Sequence, residues 1–345
     1  MPLTLTIDRA RWDANQRALL DEVPGLVPVA KGNGYGFGLD VLARQAGALG
    51  VPTLAVGIAQ EVAKVRESGW AGGFSGDVAV LNPWRPFDEV ATAQLGDPGV
   101  IVTVSRHEDL AALAAGHPGT RVLVEIETSM RRHGLDPSSI DASALERLTF
   151  EGWTIHLPAG GSLDEAERLA TAGLKVRRGP VWVSHLSVAD YTALSGRLDV
   201  ETRMRIGTRL WLGDPQAYRT TATVLDVHRV DKGDAFGYHG VRSPKDGHLI
   251  IVSGGTAHGV AMAAPVPQRS LRQRAVTLAQ GVLDATGRTL SPFEIGGKKR
   301  SFAEPPHMHS SMIFVPGPDP LVDIGDEVRV TTRMTTVTTD EIRWA

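Results

Sequence analysis

Short apolar runs rich in β-branched residues recur along the first two thirds of the chain. Eight of these runs predict buried strands, at residues 26–31, 53–57, 77–82, 100–104, 121–127, 153–157, 181–186 and 203–207. Between most of them the apolar residues follow helical spacing, as in LDVLARQAGAL and LDEAERLATAG. This alternation is typical of parallel βα units whose strands are buried on both faces.

Two α/β architectures fit such an alternation. Eight successive βα units predict a (β/α)8 barrel, and an open, doubly wound parallel sheet is the alternative. We favour the barrel because its strand number equals the number of units. In either architecture, chemistry is expected where strands end and in the loops that follow them.

The pattern changes after about residue 215. From there apolar and polar residues alternate in segments such as TATVLDVHRV and GHLIIVSGG, divided by glycine, proline and aspartate turns. We therefore predict the barrel at residues 1–215 and a mainly-β domain at residues 216–345, with the first few residues as candidates for pairing with the second domain. Residues 263–288 predict one helix within that domain.

Composition narrows the class of function. The 345 residues are 42% hydrophobic and 22% charged, which predicts a folded globular protein. The net charge of -3 without a basic block argues against nucleic acid or an anionic membrane as partner, and favours a small-molecule ligand. The chain has no cysteine, which fits a cytoplasmic protein and excludes a thiolate site. No targeting segment or membrane anchor is expected.

The stretch VPVAKGNGYGFG places Lys31 at the end of the first predicted barrel strand. A lysine at a barrel mouth is partly desolvated, so it is a better nucleophile than in water and can form a Schiff base. The glycines after it let the backbone come close to a ligand, and Tyr35 offers an aromatic face and a hydroxyl. The spacing alone equally allows a solvated lysine that closes a strand.

VAKGNGYGFG resembles the lysine signature of the alanine racemase family. The resemblance implies a fold-type III enzyme that uses pyridoxal 5'-phosphate, combines a barrel with a C-terminal β domain, and acts on a small amino acid as a homodimer. It also implies that Lys31 holds the cofactor as an aldimine and serves as one of two racemising bases, while Tyr35 contacts the cofactor phosphate.

Three further segments are similar to the family in the same order along the chain. EIETSMRRHGL supplies Arg132, which the resemblance places at the cofactor's ring oxygen and at the substrate carboxylate, a planar group that suits a guanidinium. WTIHL supplies His156 beside the cofactor ring, and SHLS supplies Ser187 at the phosphate. Taken singly, these residues have structural alternatives: a surface charge, a core histidine and a helix N-cap.

RMRIGTRLW resembles the family's arginine-glycine segment. It places Arg205 at the pyridine nitrogen and the backbone of Gly207 and Thr208 near the phosphate. A permanently charged arginine keeps the ring nitrogen unprotonated and weakens the cofactor as an electron sink, which favours reprotonation of the substrate.

The resemblance fails at the family's second base, a tyrosine that the partner's β domain contributes. IIVSGGTAHGV has Thr256 at that position and His258 two residues later. A threonine hydroxyl is too weak an acid or base near neutral pH, whereas an imidazole works there. PHMHSSMIFVPG places Met308, whose family counterpart helps to hold the substrate carboxylate, between His307 and His309.

His258 and His309 are therefore the candidates for the second acid or base. If residues 307–309 form a strand, His307 and His309 share a face, and with His258 they would suit a divalent metal. We expect no metal there, because histidines in strands are mostly structural or exposed. Glu125 stands where many racemases carry a carbamylated lysine, and its carboxylate can orient Arg132.

Three functions follow from these residues. The favoured one is an amino-acid racemase with Lys31 on one face of the substrate and His258 or His309 on the other. The second is one-base chemistry on a small amino acid, such as a lyase, retro-aldol or dehydration reaction. The third is a protein that binds pyridoxal phosphate without turnover. The ending VTTDEIRWA leads us to expect that a second family tyrosine is also missing.

Overall fold

The computed structural model describes residues 2–67, 73–262 and 289–345. It divides into two units, Asp13–Gly213 and a second made of Met1–Trp12 with Asp214–Ala345. The first strand, β1 (Leu3–Ile7), lies in the second unit. The helix predicted at residues 263–288 lies outside the described residues. No helix in the described part of the chain is long and apolar enough to cross a membrane.

Eight parallel strands form the sheet of the first unit. They are β2 (Leu26–Pro28), β3 (Thr53–Val56), β4 (Asp77–Pro83), β5 (Val100–Val104), β6 (Arg121–Ile126), β7 (Thr149–His156), β8 (Val181–Ser184) and β9 (Thr202–Ile206). They pair in the order β2-β9-β8-β7-β6-β5-β4-β3. A parallel bridge between Val29 and Ala55 joins the two ends of this order and closes the ring. The predicted (β/α)8 barrel is thus confirmed.

Helices alternate with these strands. They are α1 (Arg9–Glu22), α2 (Leu39–Ala48), α3 (Gln60–Arg66), α4 (Glu89–Ala93), α5 (His107–Gly116), α6 (Ala142–Glu146), α7 (Leu163–Val176), α8 (Val188–Arg197) and α9 (Thr208–Leu212). Side-chain oxygens of Asp88, Ser162 and Ser187 cap α4, α7 and α8 by accepting an otherwise unpaired backbone N–H.

The barrel interior is apolar in its middle and polar at the carboxyl ends of the strands. The apolar cluster consists of Val27, Val29, Ala55, Ala79, Ile101, Leu123 and Trp182. Successive side chains of a strand point to opposite faces, so a residue two positions further along points to the same side. Glu125 follows Leu123 in this way, and Ser184 follows Trp182. The alternation therefore places a set of buried polar groups at the barrel mouth.

The second unit is built on antiparallel strands. They are β10 (Tyr218–Val230), β11 (Ala235–Phe236), β12 (Val241–Arg242), β13 (Gly247–Ser253), β14 (Leu290–Ile295), β15 (Lys298–Phe302), β16 (Ser310–Pro316), β17 (Glu327–Val330) and β18 (Glu341–Trp344). The main sheet has the order β13-β16-β15-β14-β17-β10-β1-β18, and β13 also pairs with β10. β1 runs antiparallel to β10 and parallel to β18. The predicted mainly-β domain is confirmed.

Candidate active site

Lys31 lies just past the end of β2, at the barrel mouth. Its stem runs along Gly57: a Cβ built on Gly57 would lie 3.1 Å from Cβ and 3.6 Å from Cδ of Lys31. Partial burial lowers the pKa of Lys31 below its ordinary value of 10.5, and the nearby charges of Arg132 and Arg205 lower it further. A lower pKa leaves a larger neutral fraction of the amine, which is the nucleophilic form.

Tyr35 is buried, with a φ of 54°, in the short helical turn Gly34–Gly36. Its hydroxyl lies directly against Gly207, because a Cβ built on Gly207 would be 1.9 Å from the Tyr35 oxygen. Burial, together with the charge of Glu61, raises the pKa of Tyr35 to about 12, so the phenol keeps its proton at neutral pH. Gly207 precedes α9 and Thr208 begins it. The structure thus brings together Tyr35, Gly207 and Thr208, three of the four residues predicted for the phosphate.

Arg205 is buried in β9. Its Nη2 donates to the carbonyl of Ile155 at 3.3 Å, but its Nε is buried without a hydrogen-bond partner among the described residues. Burial lowers the pKa of Arg205 to about 10, against the opposing effect of Glu125, so the guanidinium stays charged at neutral pH. An unpaired buried donor on a charged group is costly, which indicates that a ligand supplies the acceptor.

Glu125 lies near three arginines. Burial raises the pKa of Glu125 above its ordinary value, although the charges of Arg205, Arg132 and Arg85 partly offset this by lowering it. Its Oε2 has no hydrogen-bond partner in the described part of the chain, and neither has the hydroxyl of Thr154, which is paired with Glu125 in register. Arg132 is exposed in the loop after β6 and makes no ion pair with any described residue. Its guanidinium is therefore available to a carboxylate.

His156 ends β7 and is held by two neighbours. Its Nδ1 lies 2.9 Å from the hydroxyl of Ser184, and its ring packs edge-on against His185 with 5.1 Å between centroids. Burial, together with the charges of Arg205 and Arg132, lowers the pKa of His156 to about 3. The imidazole is therefore neutral at physiological pH and offers its ring without adding charge. His185 was not predicted from the sequence; it has a φ of 64° at the end of a barrel strand.

Ser187 caps α8. Its hydroxyl accepts the backbone N–H of Asp190 at 3.0 Å and donates to the Asp190 carboxylate at 2.7 Å. This is the N-cap arrangement that the sequence allowed as an alternative, and a phosphate contact for Ser187 stays a prediction.

Glu61 is a second residue that the sequence did not single out. Its Oε1 accepts the N–H of Gly32 at 2.6 Å, and its Oε2 accepts the N–H groups of Gly57 at 2.7 Å and Ile58 at 3.2 Å. The buried carboxylate therefore joins the loop after β2 to the loop after β3. The only sequence signal was an acidic residue in the first turn of α3.

His258, in the second unit, is buried and has both ring nitrogens engaged. Its Nδ1 accepts the N–H of Gly255 at 3.1 Å, and its Nε2 lies 3.0 Å from Oδ2 of Asp340. His309 packs edge-on against this ring at 5.8 Å between centroids, is exposed, and makes no side-chain hydrogen bond to a described residue. Of the two candidate bases, His309 is the one with available ring nitrogens.

The segment at Thr256 is tied to the one at Met308 through the backbone. The N–H of Thr256 donates to the carbonyl of His307 at 2.8 Å, and the N–H of Ala257 donates to the carbonyl of Met308 at 3.0 Å. The Thr256 side chain is exposed, and so is Met308. The structure therefore places Thr256, Met308 and His309 on adjoining segments of one unit.

Residues 307–309 do not form a strand, and β16 begins at Ser310, so the condition for His307 and His309 to share a strand face is not met. Pro305 and Pro306 lack the N–H that strand pairing needs. His307 instead pairs through its Nε2 with the buried Glu304 at 2.7 Å. Within residues 2–67, 73–262 and 289–345, no three His, Asp or Glu side chains are grouped so as to hold a metal ion.

The sequence likeness to known proteins lies mainly in the barrel. Residues 7–178 match the family described as "Alanine racemase, N-terminal domain". The alanine racemase of Desulfovibrio desulfuricans is 29% identical over 184 residues, which cover 50% of this chain and 48% of that protein. The alanine racemase of Streptomyces coelicolor is 32% identical over 139 residues, 39% of this chain and 35% of that protein. The chain thus spans about half, or less, of the length of these relatives.

Solved structures are similar over the whole chain. The alanine racemase from E. faecalis has a TM-score of 0.72 at 18% identity. The superposition covers 100% of this chain and 98% of that protein. The alanine racemase from Bartonella henselae with covalently bound pyridoxal phosphate has a TM-score of 0.72 at 18% identity over 100% of both chains. A histidine racemase from Leuconostoc mesenteroides has a TM-score of 0.65 at 16% identity, and the superposition covers 100% of this chain and 97% of that protein. At such identities the likeness establishes the fold.

Proposed function

Because this chain belongs to the alanine racemase family, we propose that it is an amino-acid racemase that uses pyridoxal 5'-phosphate. The observation that carries the proposal is the buried Nε of Arg205, which has no partner among the described residues, at a barrel mouth that also holds a lysine of lowered pKa. A pyridine nitrogen supplies the acceptor that this donor needs. The aldehyde of the same cofactor requires a neutral amine, which Lys31 offers.

The residues at the mouth fit the rest of the cofactor. Tyr35 and the backbone at Gly207 and Thr208 are proposed to hold the phosphate, with Ser187 at its edge. The neutral ring of His156 is proposed to lie beside the pyridine ring. When bound, pyridoxal phosphate supplies an electron sink for the electron pair left on the substrate Cα after proton removal.

The protein's own side chains then bind the substrate and move its proton. Arg132 binds the substrate carboxylate through its planar guanidinium. The negative charge of Glu125 attracts the neighbouring arginines and orients them. Lys31, neutral in part because of its lowered pKa, takes or returns the Cα proton on one face. Arg205 keeps its charge and limits proton uptake by the ring nitrogen, which favours return of the proton to Cα.

For the opposite face we propose an imidazole in place of the family tyrosine. His309 is exposed with available ring nitrogens, whereas His258 is buried between Gly255 and Asp340. We assign the second acid or base to His309, with His258 as the ring it packs against. The backbone of Met308 is the proposed second contact of the substrate carboxylate. The protein is proposed to act as a homodimer on a small amino acid.

One-base chemistry is the second candidate, and Thr256 favours it. Its hydroxyl stands at the family tyrosine's position and has no acid or base strength near neutral pH. Without a second base, Lys31 would be the one group that transfers protons, and it would act on one face of the substrate. This suits a lyase, retro-aldol or dehydration reaction.

The test begins with purified protein mixed with pyridoxal phosphate, reduced with borohydride and mapped by peptide mass spectrometry. Modification confined to Lys31 supports the proposal, and an unmodified Lys31 overturns it. Single enantiomers of alanine, serine and histidine are then incubated with the loaded protein in deuterated water. Cα exchange with inversion identifies a racemase, exchange with retention identifies one-base chemistry, and no exchange with any of them identifies a protein that only binds the cofactor.

A further inference from the structure

We propose that Glu61 is the positioning residue of Lys31: its carboxylate fixes the backbone around the amine and is the negative charge that faces it. The inference rests on the proposed function in so far as Lys31 is the reactive group there. Glu61 itself touches neither substrate nor cofactor in this role and acts through the lysine.

The first argument is the set of hydrogen bonds that the carboxylate accepts. Oε1 binds the N–H of Gly32, the residue directly after Lys31, at 2.6 Å. Oε2 binds the N–H groups of Gly57 and Ile58 on the neighbouring loop. An ionised carboxylate that accepts backbone N–H groups makes shorter and stronger bonds than a neutral acceptor. The backbone that carries Lys31 is thus fastened to the adjacent strand end by one side chain.

The second argument is the space left by Gly57. A Cβ on this residue would lie 3.0 Å from Oε2 of Glu61 and 3.1 Å from Cβ of Lys31. The absent side chain therefore lets the lysine stem and the carboxylate pack on the same residue. φ of Gly57 is not in the left-handed region, so close approach rather than backbone conformation explains the glycine.

The third argument is charge. The positive charges of Arg132 and Arg205 disfavour the protonated form of Lys31, whereas the negative charge of Glu61 favours it. A buried carboxylate held by three N–H groups cannot rotate away, so its effect on the amine is constant. Glu61 therefore fixes the backbone next to Lys31 and opposes the lowering of its pKa by burial and by the two arginines.

The test uses Glu61→Gln, which keeps the shape but turns one oxygen into an amide donor that faces a backbone N–H. Glu67→Gln is the matched control, because it removes one carboxylate from the exposed C-terminal end of the same helix. Two quantities are measured on cofactor-free protein: the pH midpoint of Lys31 acetylation by trace labelling, and the rate of adduct formation with added pyridoxal phosphate.

We expect Glu61→Gln to shift the labelling midpoint to lower pH and to slow adduct formation by about tenfold or more, because misplacement of a reacting group is costly. Values equal to those of Glu67→Gln would overturn the inference. If Glu61→Gln does not fold, Gly57→Ala takes its place, with Gly47→Ala, which has open space around its Cβ position, as control. Gly57→Ala must then slow adduct formation relative to Gly47→Ala. If wild-type Lys31 forms no adduct, the proposed function fails, while the labelling midpoint still tests Glu61.

Discussion

Nε2 of His258 lies 3.0 Å from the carboxylate oxygen Oδ2 of Asp340. Since Nδ1 of the same ring accepts the N–H of Gly255, the proton is assigned to Nε2, which donates to Asp340. Asp340 is also bonded to Leu3 of β1: its Oδ2 accepts the N–H of Leu3 at 2.8 Å, and its own N–H donates to the Leu3 carbonyl at 2.9 Å. The pair thus fastens the turn at residues 255–259 to β1.

Replacement of His258 is expected to reduce stability. His258→Leu leaves the Gly255 N–H without its acceptor, which costs about 1–3 kcal/mol of unfolding free energy. His309→Gln, at an exposed position, should leave this free energy nearly unchanged and impair turnover instead. The unfolding free energy of both variants is measured by urea denaturation, and their amino-acid turnover is measured in parallel. A stable, inactive His258→Leu together with an active His309→Gln would reverse the assignment of the second base.

The Asp340 carboxylate is expected to contribute stability only above acidic pH. Burial raises its pKa, but hydrogen bonds from Leu3 and His258 outweigh this and bring the pKa below the ordinary value of 3.8. A group whose pKa is depressed by folding contributes fully above its unfolded value and loses that contribution as pH falls through the folded one. The free-energy difference between wild type and Asp340→Asn should therefore be constant from pH 5 to 7 and shrink below about pH 4. A difference that grows in acid would contradict the geometry.

Lys31 is expected to react with small amine reagents at lower pH than Lys64 of α3 does. Partial desolvation and the charges of Arg132 and Arg205 lower its pKa from 10.5, so its neutral form is populated at lower pH. Trace acetylation across pH, quantified peptide by peptide, compares Lys31 with the exposed Lys64 of α3 in the same sample. The midpoint of Lys31 should fall below that of Lys64. In Arg132→Gln the midpoint should move upward, because one of the opposing charges is gone.

The barrel was predictable because its signal is repeated. Each of the eight strands is a short apolar run, so a boundary error at one run, such as Thr149 at the start of β7 against a predicted residue 153, does not change the fold. At the mouth, the residues Arg205 and His156 were named by the family resemblance. Both lie at strand ends, where a parallel barrel places its chemistry.

What could not be predicted depends on contacts between distant segments. Glu61 binds backbone N–H groups of Gly32, 29 residues away, and backbone donors leave no trace in residue identity. Asp340, the partner of His258, is 82 residues further along the chain, so the neighbouring sequence gives no sign that the His258 imidazole is already hydrogen-bonded. The sequence left open whether residues 307–309 form a strand; Pro305 and Pro306 lack backbone donors, and β16 begins at Ser310.

Gly207 gives the sharpest test of the phosphate site. A Cβ on Gly207 would lie 1.9 Å from the hydroxyl oxygen of Tyr35, well inside contact distance, so Gly207→Ala must displace the tyrosine or the start of α9. We expect pyridoxal phosphate to bind about tenfold or more weakly, because the proposed phosphate contacts of Tyr35, Gly207 and Thr208 all lie at this point. Equilibrium dialysis against the cofactor measures the loss.

Gly196→Ala is the matched control for that substitution. Gly196 lies in α8 with open space around its Cβ position, and alanine in a helix is preferred to glycine by about 1 kcal/mol. It should therefore hold or raise stability and leave cofactor affinity unchanged. Tyr35→Phe completes the set: it removes only the hydroxyl, whose pKa of about 12 keeps it a donor, and should weaken cofactor binding while relieving the clash in the Gly207→Ala background. Additive losses in the double variant would show that Tyr35 and Gly207 do not act on the same group.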